Sequence, residues 1–227
     1  SSETHVVFVG IGIGEMRAME QLSHALHAQR SGIRTTWALR CRETMRIIQK
    51  EHPEQDVAFM PFDFFIPLWN WTRRLKPDVV VTVEKLFLPN IVWYSKRRGA
   101  RVMAVNGSGG VGHKRFLESV LQTTIQRWTL SGFDLICLHS EEEREKIAPL
   151  LPPGAAVRVT GSMKFENRHV VQNDAQRLAE WLGDASKPLI IAGSTHAGEE
   201  ELVIEAFKKV RIHIPCRLLI APRHLHE

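Results

Sequence analysis

Short runs rich in β-branched residues alternate with amphipathic stretches along most of this 227-residue chain. The runs predict strands, and the stretches between them have the spacing of helices with one buried face. Repeated strand–helix units pair their strands in parallel, with helices on both faces and binding sites at the carboxyl ends of the strands. We therefore expect an α/β chain built on a doubly wound parallel sheet. The predicted strands are 5–9, 33–39, 79–83, 101–105, 134–138 and 157–160, and the predicted helices are 16–29, 90–98, 115–129 and 141–150.

The pattern starts again after Phe165. A polar segment is followed by a predicted helix near 175–182, and then by a strand, a helix and a strand that ends at Ala221. We therefore place a domain boundary near residues 164–172, with one Rossmann-like domain over residues 1–168 and the beginning of a second over residues 169–227. Two strands are too few to close a core of their own, so we expect the chain to be a fragment.

Composition excludes several classes of protein. Hydrophobic residues make up 44% and charged residues 24%, as in globular proteins. No apolar run approaches the ~20 residues that cross a bilayer, and the N-terminus lacks the layout of a signal peptide. The scattered Cys41, Cys137 and Cys216 have no CxxC spacing, which argues against a disulfide framework or a zinc site. A formal net charge of +5 favours an anionic partner without saying which kind.

One segment has the layout of a phosphate site. An apolar run stops at Gly193, Ser194 and Thr195 follow, and Glu199 opens an amphipathic stretch, so the segment predicts a strand, a tight turn and a helix start. Free backbone N–H groups at a helix start, two hydroxyls, and Arg223 at the end of the next predicted strand would together suit a phosphate. An ordinary helix cap followed by a surface arginine explains the same residues.

The first predicted strand runs into a glycine-rich loop, Gly10-Ile-Gly-Ile-Gly14, followed by Glu15. Three interpretations remain open. The loop can approach a dinucleotide, with Arg40 taking the 2′-phosphate of NADPH. Alternatively, Glu15 is a general base at the mouth of the sheet, or it only complements the dipole of the following helix.

Residues 61–71 are unusually aromatic and are followed by Arg73 and Arg74. Such a segment can meet a membrane interface, where rings lie at headgroup depth and cations contact lipid phosphates. A helix that buries one face formed by Phe65, Leu68, Trp69 and Leu75 fits the same spacing.

Six short motifs follow one another along the chain: Gly14-Glu15; Val83-Glu84 with Pro89-Asn90; Val105-Asn106; Gly161 to Phe165; Gly193 to Glu200; and Pro222-Arg223-His224. In this order they resemble the motifs of the 3-deoxy-D-manno-octulosonic acid (Kdo) transferases, glycosyltransferase family 30. The resemblance extends over essentially the whole chain.

The resemblance implies a GT-B-type glycosyltransferase, with an acceptor domain over residues 1–168 and the beginning of a nucleotide-sugar domain over residues 169–227. The implied reaction is inverting transfer of Kdo from CMP-Kdo to a lipid A precursor in lipopolysaccharide biosynthesis. Glu15 corresponds to the family's general base, and no metal or cofactor is implied. The implied donor-binding residues are Lys164, Ser194, Thr195, His196, Glu199 and Arg223, and the implied acceptor-binding residues are Gly14, Glu84, Asn106, Ser108 and Lys114.

The implied partners are CMP-Kdo, the lipid A precursor and an anionic inner-membrane surface, and not nucleic acid. The implied location is the cytoplasmic face of the bacterial inner membrane, with the protein bound peripherally or through an anchor outside this chain.

The chain differs from the family's pattern in two places. Leu86 and its neighbours stand where family members have a second carboxylate and a tryptophan, and the glycine-rich residues 107–110 replace a stretch that carries an arginine. These differences leave open a non-catalytic or altered-acceptor relative that binds a lipid or protein. The glycine-rich loop and Arg40 leave a second alternative, an NADP-dependent Rossmann enzyme.

Overall fold

A computed structural model of the chain describes residues 3–108, 120–163, 179–182 and 186–223. The chain divides into two compact units, Ser1–Arg168 and His169–Glu227. Each unit is described by itself.

The first unit alternates strands and helices. Its first half contains β1 (Thr4–Gly10), α1 (Ile13–Gln29), β2 (Ile33–Leu39), α2 (Arg42–Glu51), β3 (Asp56–Phe59) and α3 (Phe65–Leu75). Its second half contains β4 (Val79–Val83), α4 (Pro89–Arg97), β5 (Arg101–Gly107), α5 (Val120–Ser131), β6 (Leu135–Leu138), α6 (Glu141–Ile147) with a 3-10 turn at Ala148–Leu150, and β7 (Val157–Val159).

The seven strands form one parallel sheet in the order β3-β2-β1-β4-β5-β6-β7. Alternate residues of β1 point to opposite faces, and both faces are covered. Phe8 packs with Met19 of α1 and Ile48 of α2, whereas Val7 packs on the other face with Leu68 of α3 and Ile91 of α4. The prediction of a Rossmann-like parallel sheet is confirmed.

Strand β1 is the point where the winding of the sheet reverses. The chain moves outward from β1 to β2 and β3, and then returns to place β4 on the other side of β1. The connections that leave β1 and β4 therefore diverge at their carboxyl ends and open a crevice there, which is where ligands of doubly wound sheets bind.

Gly10 brings α1 close to the end of β1. A Cβ atom added at Gly10 would lie 2.4 Å from Cε of Met19 and 2.9 Å from Cβ of Glu15. Only glycine permits this approach, so the position of Glu15 depends on the missing side chain at Gly10.

The second unit contains β8 (Leu189–Thr195), α7 (Glu199–His213) and β9 (Arg217–Pro222), with residues 179–182 helical. The two strands are parallel neighbours. No residue of α7 is buried, and Ile191 of β8 is 63% exposed.

The aromatic segment divides between core and surface. Leu68, Trp71 and Thr72 form the buried side of α3, whereas Phe65 and Trp69 are exposed. The hypothesis of a buried face formed by Phe65, Leu68, Trp69 and Leu75 is therefore correct for Leu68, and Leu75 packs partly buried against the same cluster. It is wrong for Phe65 and Trp69, because the helix turns positions 68, 71 and 72 inward. None of the helices within the described ranges has the length and apolar character needed to cross a membrane.

Candidate active site at the strand ends

Glu15 occupies the third position of α1, the helix that follows β1. The residue is only 8% exposed, and its Oε2 accepts a hydrogen bond of 3.1 Å from the backbone N–H of Gly12. This bond satisfies a free donor at the helix start and places a carboxylate beside the positive end of the helix dipole. Glu15 therefore stabilises the helix start, and the same contact orients its carboxylate.

The other carboxylate oxygen of Glu15 faces a lysine that follows the neighbouring strand β4. Oε1 lies 3.9 Å from Nζ of Lys85, which follows β4. The Lys85 side chain is 43% exposed and that of Glu15 11%. The pair thus lies at the crevice between the ends of β1 and β4, with the amine accessible from solvent.

Glu84 and Asn106 hold the ends of β4 and β5 together. Both have left-handed backbones, with φ of 62° and 51°. Nδ2 of Asn106 donates to Oε1 of Glu84 at 3.1 Å, and Oδ1 of Asn106 accepts from the backbone N–H of Met163 at 3.2 Å. Asparagine tolerates this left-handed conformation better than most residues. Through its two hydrogen bonds, the buried Asn106 joins three segments of the chain at the carboxyl ends of the strands.

The remaining predicted acceptor residues differ in how far the structure describes them. Gly14 lies in the first turn of α1, and a Cβ atom added there would meet nothing within 4 Å. The backbone N–H of Ser108 lies 3.5 Å from the carbonyl oxygen of Glu84, so Ser108 is at the same strand ends. Lys114 lies outside the described residues, as does the donor candidate Lys164.

The two departures from the family's pattern contact one another. Leu86 is almost completely buried against Ala104 and Ile136. A Cβ atom added at Gly107 would lie 3.0 Å from Cδ2 of Leu86 and 3.3 Å from the carbonyl oxygen of Cys137. A small residue at 107 thus makes room for the leucine at 86, and the leucine lies in the core.

Asp63 was missed by sequence reasoning. Its carboxylate accepts backbone N–H bonds from Asn90 at 3.2 Å and Ile91 at 3.0 Å, at the start of α4. Burial raises the pKa of the Asp63 carboxyl above its usual range, although these hydrogen bonds and the nearby Arg40 oppose the shift. The sequence does contain a sign of this contact. Helix α4 begins at Leu88-Pro89 without a capping side chain of its own, so its first backbone N–H groups need a hydrogen-bond acceptor from another segment.

In the second unit, the turn between β8 and α7 has the predicted form. Ser194 is left-handed, with φ of 59°, and Thr195 is buried. Oε2 of Glu199 accepts a 2.9 Å hydrogen bond from the backbone N–H of His196, so this carboxylate caps its own helix. The backbone N–H of Arg223 donates to the carbonyl oxygen of Thr195 at 2.9 Å, and the Arg223 side chain is exposed.

The structure therefore brings Ser194, Thr195, His196, Glu199 and Arg223 together at one end of the β8–β9 pair. The Thr195 hydroxyl is the main cause of a lowered pKa of Glu200, the second residue of α7. Because acidic side chains already complement the start of α7, a phosphate at this turn depends on the arginine and on the turn's hydroxyls.

The fold belongs to a known class. The solved UDP-GlcNAc 2-epimerase from Neisseria meningitidis bound to UDP-GlcNAc aligns with 98% of this chain and 67% of its own, with a TM-score of 0.61 and 12% sequence identity. At this identity the likeness shows the fold alone. The fold is of the GT-B type, which solved glycosyltransferases also have.

The sequence identifies the family within this class. Residues 1–167 match the family described as 3-deoxy-D-manno-octulosonic-acid transferase (kdotransferase). The chain belongs to this family. It is 28% identical over 174 residues to the 3-deoxy-D-manno-octulosonic acid transferase of Bordetella pertussis, covering 74% of this chain and 39% of that protein. It is 25% identical over 219 residues to the enzyme of the same name from Aquifex aeolicus, covering 95% of this chain and 53% of that protein. The chain thus spans less than two thirds of these relatives.

Proposed function

We propose that this chain is the acceptor domain and the start of the donor domain of an inverting glycosyltransferase that moves Kdo from CMP-Kdo to a lipid A precursor. The family match supports transferase chemistry in lipopolysaccharide biosynthesis and favours it over an NADP-dependent enzyme. One observation carries the proposal: Glu15, the carboxylate at the family's base position, lies at the crevice where the sheet reverses its winding.

The proposed reaction uses Glu15 as a general base. The acceptor hydroxyl gives its proton to Oε1 of Glu15, because Oε2 is already bound by the Gly12 N–H. The hydroxyl oxygen forms a bond to the anomeric carbon of Kdo, and the bond from that carbon to the phosphate oxygen breaks. CMP leaves with the bonding electron pair, and attack from the opposite side inverts the anomeric centre.

The acceptor side of the proposed site combines a hydrogen-bonded pair of side chains with open space at Gly14. The hydrogen-bonded pair Glu84 and Asn106 fixes the ends of β4 and β5, with Ser108 beside it. Gly14 leaves room next to Glu15, and Lys114 completes the proposed acceptor set.

The donor side of the proposal uses the turn before α7. Arg223 and the hydroxyls of Ser194 and Thr195 would bind the phosphate of CMP-Kdo. His196 and Glu199 keep the turn in shape through their mutual hydrogen bond, and Lys164 is the remaining proposed donor residue.

The proposed acceptor is a lipid, so the protein has to meet a membrane surface. We place it at the cytoplasmic face of the bacterial inner membrane, against anionic lipid. The net charge of +5 and the exposed Phe65 and Trp69 support this partner.

A second candidate is a relative with an altered acceptor. The packing of Leu86 on Gly107 places an apolar side chain where the family has polar ones, and Lys85 adds a positive charge at the crevice. Such a protein would retain the base and the donor side while accepting a different hydroxyl compound.

The test is mass spectrometry of a tetra-acylated lipid A precursor incubated with freshly generated CMP-Kdo and the full-length protein, with Glu15→Gln in parallel. A mass gain of one or more Kdo units that is lost in the variant supports the donor, the acceptor and the base. No gain from a folded protein that binds CMP points to the altered-acceptor relative. Undiminished turnover by Glu15→Gln rules out Glu15 as the base.

A further inference from the structure

A pocket separate from the strand ends lies on the outer side of the first unit, between α3 and α4. It has a volume of about 430 Å³ and is lined by Phe65, Trp69, Trp93, Tyr94, Arg97 and Arg98. Four aromatic side chains and two guanidinium groups therefore face one space, and none of these residues belongs to the proposed active site.

The aromatic walls are fixed by contacts with one another. The ring of Phe65 meets Tyr94 edge-on, with centroids 5.4 Å apart, and Trp93 meets Tyr94 at 4.7 Å. Tyr94 is only 4% exposed, yet its hydroxyl is buried with no hydrogen-bond partner within the part of the chain that the structure describes. A buried phenol without a partner costs free energy, and Tyr94 lines the pocket, so a ligand oxygen that reaches the hydroxyl would supply the missing bond.

Two arginines lie over aromatic rings that line the pocket. The guanidinium carbon of Arg97 is 4.7 Å from the centroid of Trp93, and that of Arg73 is 5.1 Å from the centroid of Trp69. Among the described residues, no carboxylate oxygen lies within 4.0 Å of the charged nitrogens of Arg73, Arg97 or Arg98. Their charge is therefore available to an anion, and arginine binds phosphate oxygens in pairs.

Apolar side chains beside the pocket extend into solvent. Phe64, Phe65 and Ile66 at the start of α3 are 62–68% exposed. An apolar edge next to unpaired arginines matches the boundary between headgroups and acyl chains of a bilayer with negatively charged lipids.

We propose that the α3–α4 pocket binds the headgroup of one anionic phospholipid at the surface of a bilayer. Arg97 and Arg98 contact the phosphodiester, Tyr94 donates to a headgroup or glycerol ester oxygen, and the tryptophans contact the glycerol backbone. The proposal extends the membrane-surface part of the proposed function and rests on it. It requires no transfer activity, however, so it can fail or succeed independently of the proposed reaction.

The first test is cosedimentation of the full-length protein with vesicles of phosphatidylcholine alone and with vesicles that contain phosphatidylglycerol. We expect binding to the anionic vesicles to fall roughly 10- to 30-fold in the Arg97→Ala, Arg98→Ala double variant, from the loss of two cations at a charged surface. The matched control Lys208→Ala, Lys209→Ala removes the same charge from α7 and is expected to change binding less than about twofold if those residues stay outside the surface layer. Equal losses in both double variants would mean that net charge alone binds the protein, and would overturn the pocket.

The second test uses dihexanoyl phosphatidylglycerol below its micelle concentration, followed by NMR or calorimetry. We expect saturable binding to the wild type, weakened several-fold in Tyr94→Phe, which keeps the ring contacts and removes only the hydroxyl. Competition by inorganic phosphate at the same concentration as the lipid would indicate a free-phosphate site. An unchanged affinity of Tyr94→Phe, with the arginine variant also unchanged, would overturn the lipid assignment.

Discussion

Nζ of Lys85 and Oε1 of Glu15 are 3.9 Å apart across the crevice between β4 and β1. This separation is longer than a direct hydrogen bond of about 2.7–3.2 Å. A hydroxyl oxygen between them could accept from the ammonium while donating to the carboxylate. The pair therefore offers a place for the acceptor hydroxyl that the sequence motifs alone did not indicate.

Replacing Lys85 tests this arrangement. We expect Lys85→Met to lower kcat about tenfold, because charges at this distance interact by about 1–4 kcal/mol in an exposed to half-buried setting. Lys85→Arg should recover part of the loss, and Lys208→Met should have no effect. Steady-state kinetics with the full-length protein provides the measurement, and an unaltered kcat in Lys85→Met would remove the lysine from the site.

Gly10, the last residue of β1, and Gly14, in the first turn of α1, form a matched pair of glycines. Gly10→Ala places a Cβ atom 2.9 Å from Cβ of Glu15, so we expect a loss of about 1–3 kcal/mol in the free energy of unfolding and a displaced Glu15. Gly14→Ala meets no atom within 4 Å and improves helix propensity by up to about 1 kcal/mol. Urea unfolding measures both, and equal destabilisation of the two variants would contradict the close approach at Gly10.

Asn106 combines two hydrogen bonds with a left-handed backbone. We expect Asn106→Ala to cost about 2–4 kcal/mol, because it loses the bonds to Glu84 and Met163 and places Cβ in an unfavourable conformation. Asn106→Gly loses the same bonds without the backbone strain, so it should be about 1 kcal/mol more stable than Asn106→Ala. Thermal unfolding of the three proteins gives the comparison, and an alanine variant as stable as the glycine variant would argue against strain at this position.

Asp63 makes stability depend on pH in a defined direction. Burial raises its folded-state pKa above the ordinary value of 3.8, so the folded protein binds this proton more tightly than the unfolded chain does. The contribution of Asp63 to the free energy of unfolding therefore falls as pH rises from the ordinary value through the raised one. Unfolding curves of wild type and Asp63→Asn across the acid range give the difference between their free energies of unfolding. We expect the wild-type advantage to fall as pH rises, and an advantage that grows with pH would contradict the raised pKa.

Arg223 tests the donor side. We expect Arg223→Ala to weaken CMP binding by ~1.5–3 kcal/mol, the scale of a hydrogen bond between charged groups. Arg211→Ala, in the last turn of α7, is the matched control and should bind CMP like the wild type. Calorimetry with the full-length protein distinguishes the two, and unchanged affinity in Arg223→Ala would exclude this residue from the phosphate site.

Most of the sheet could be predicted because its strands are runs of apolar and β-branched residues. The predicted strands 33–39 and 79–83 match β2 and β4. Strand β3 was missed because it is short, lies at the sheet edge and pairs only with β2. Helix α2 was missed because it is strongly polar overall, with only Thr44 and Ile48 of its ten residues buried.

The candidate site could be predicted only where its residues are neighbours in sequence. The turn at Ser194 to Glu199 and the loop that ends at Glu15 are local patterns. The hydrogen bond between Glu84 and Asn106 and the capping of α4 by Asp63 join residues far apart in the chain. No local pattern encodes such contacts, because they depend on which strands become neighbours in the sheet.

The placement of β1 between β2 and β4 also has a consequence for biosynthesis. A chain that emerges from the ribosome can pair β1 with β2 early, whereas the other edge of β1 is completed only after Val79–Val83 has been made. Until then a strand with two fully buried valines, Val7 and Val9, presents an unpaired edge. The nascent protein is therefore open to misassembly and chaperone capture at this edge while β2 to α3 are being synthesised, and slowing translation in that interval would prolong this period.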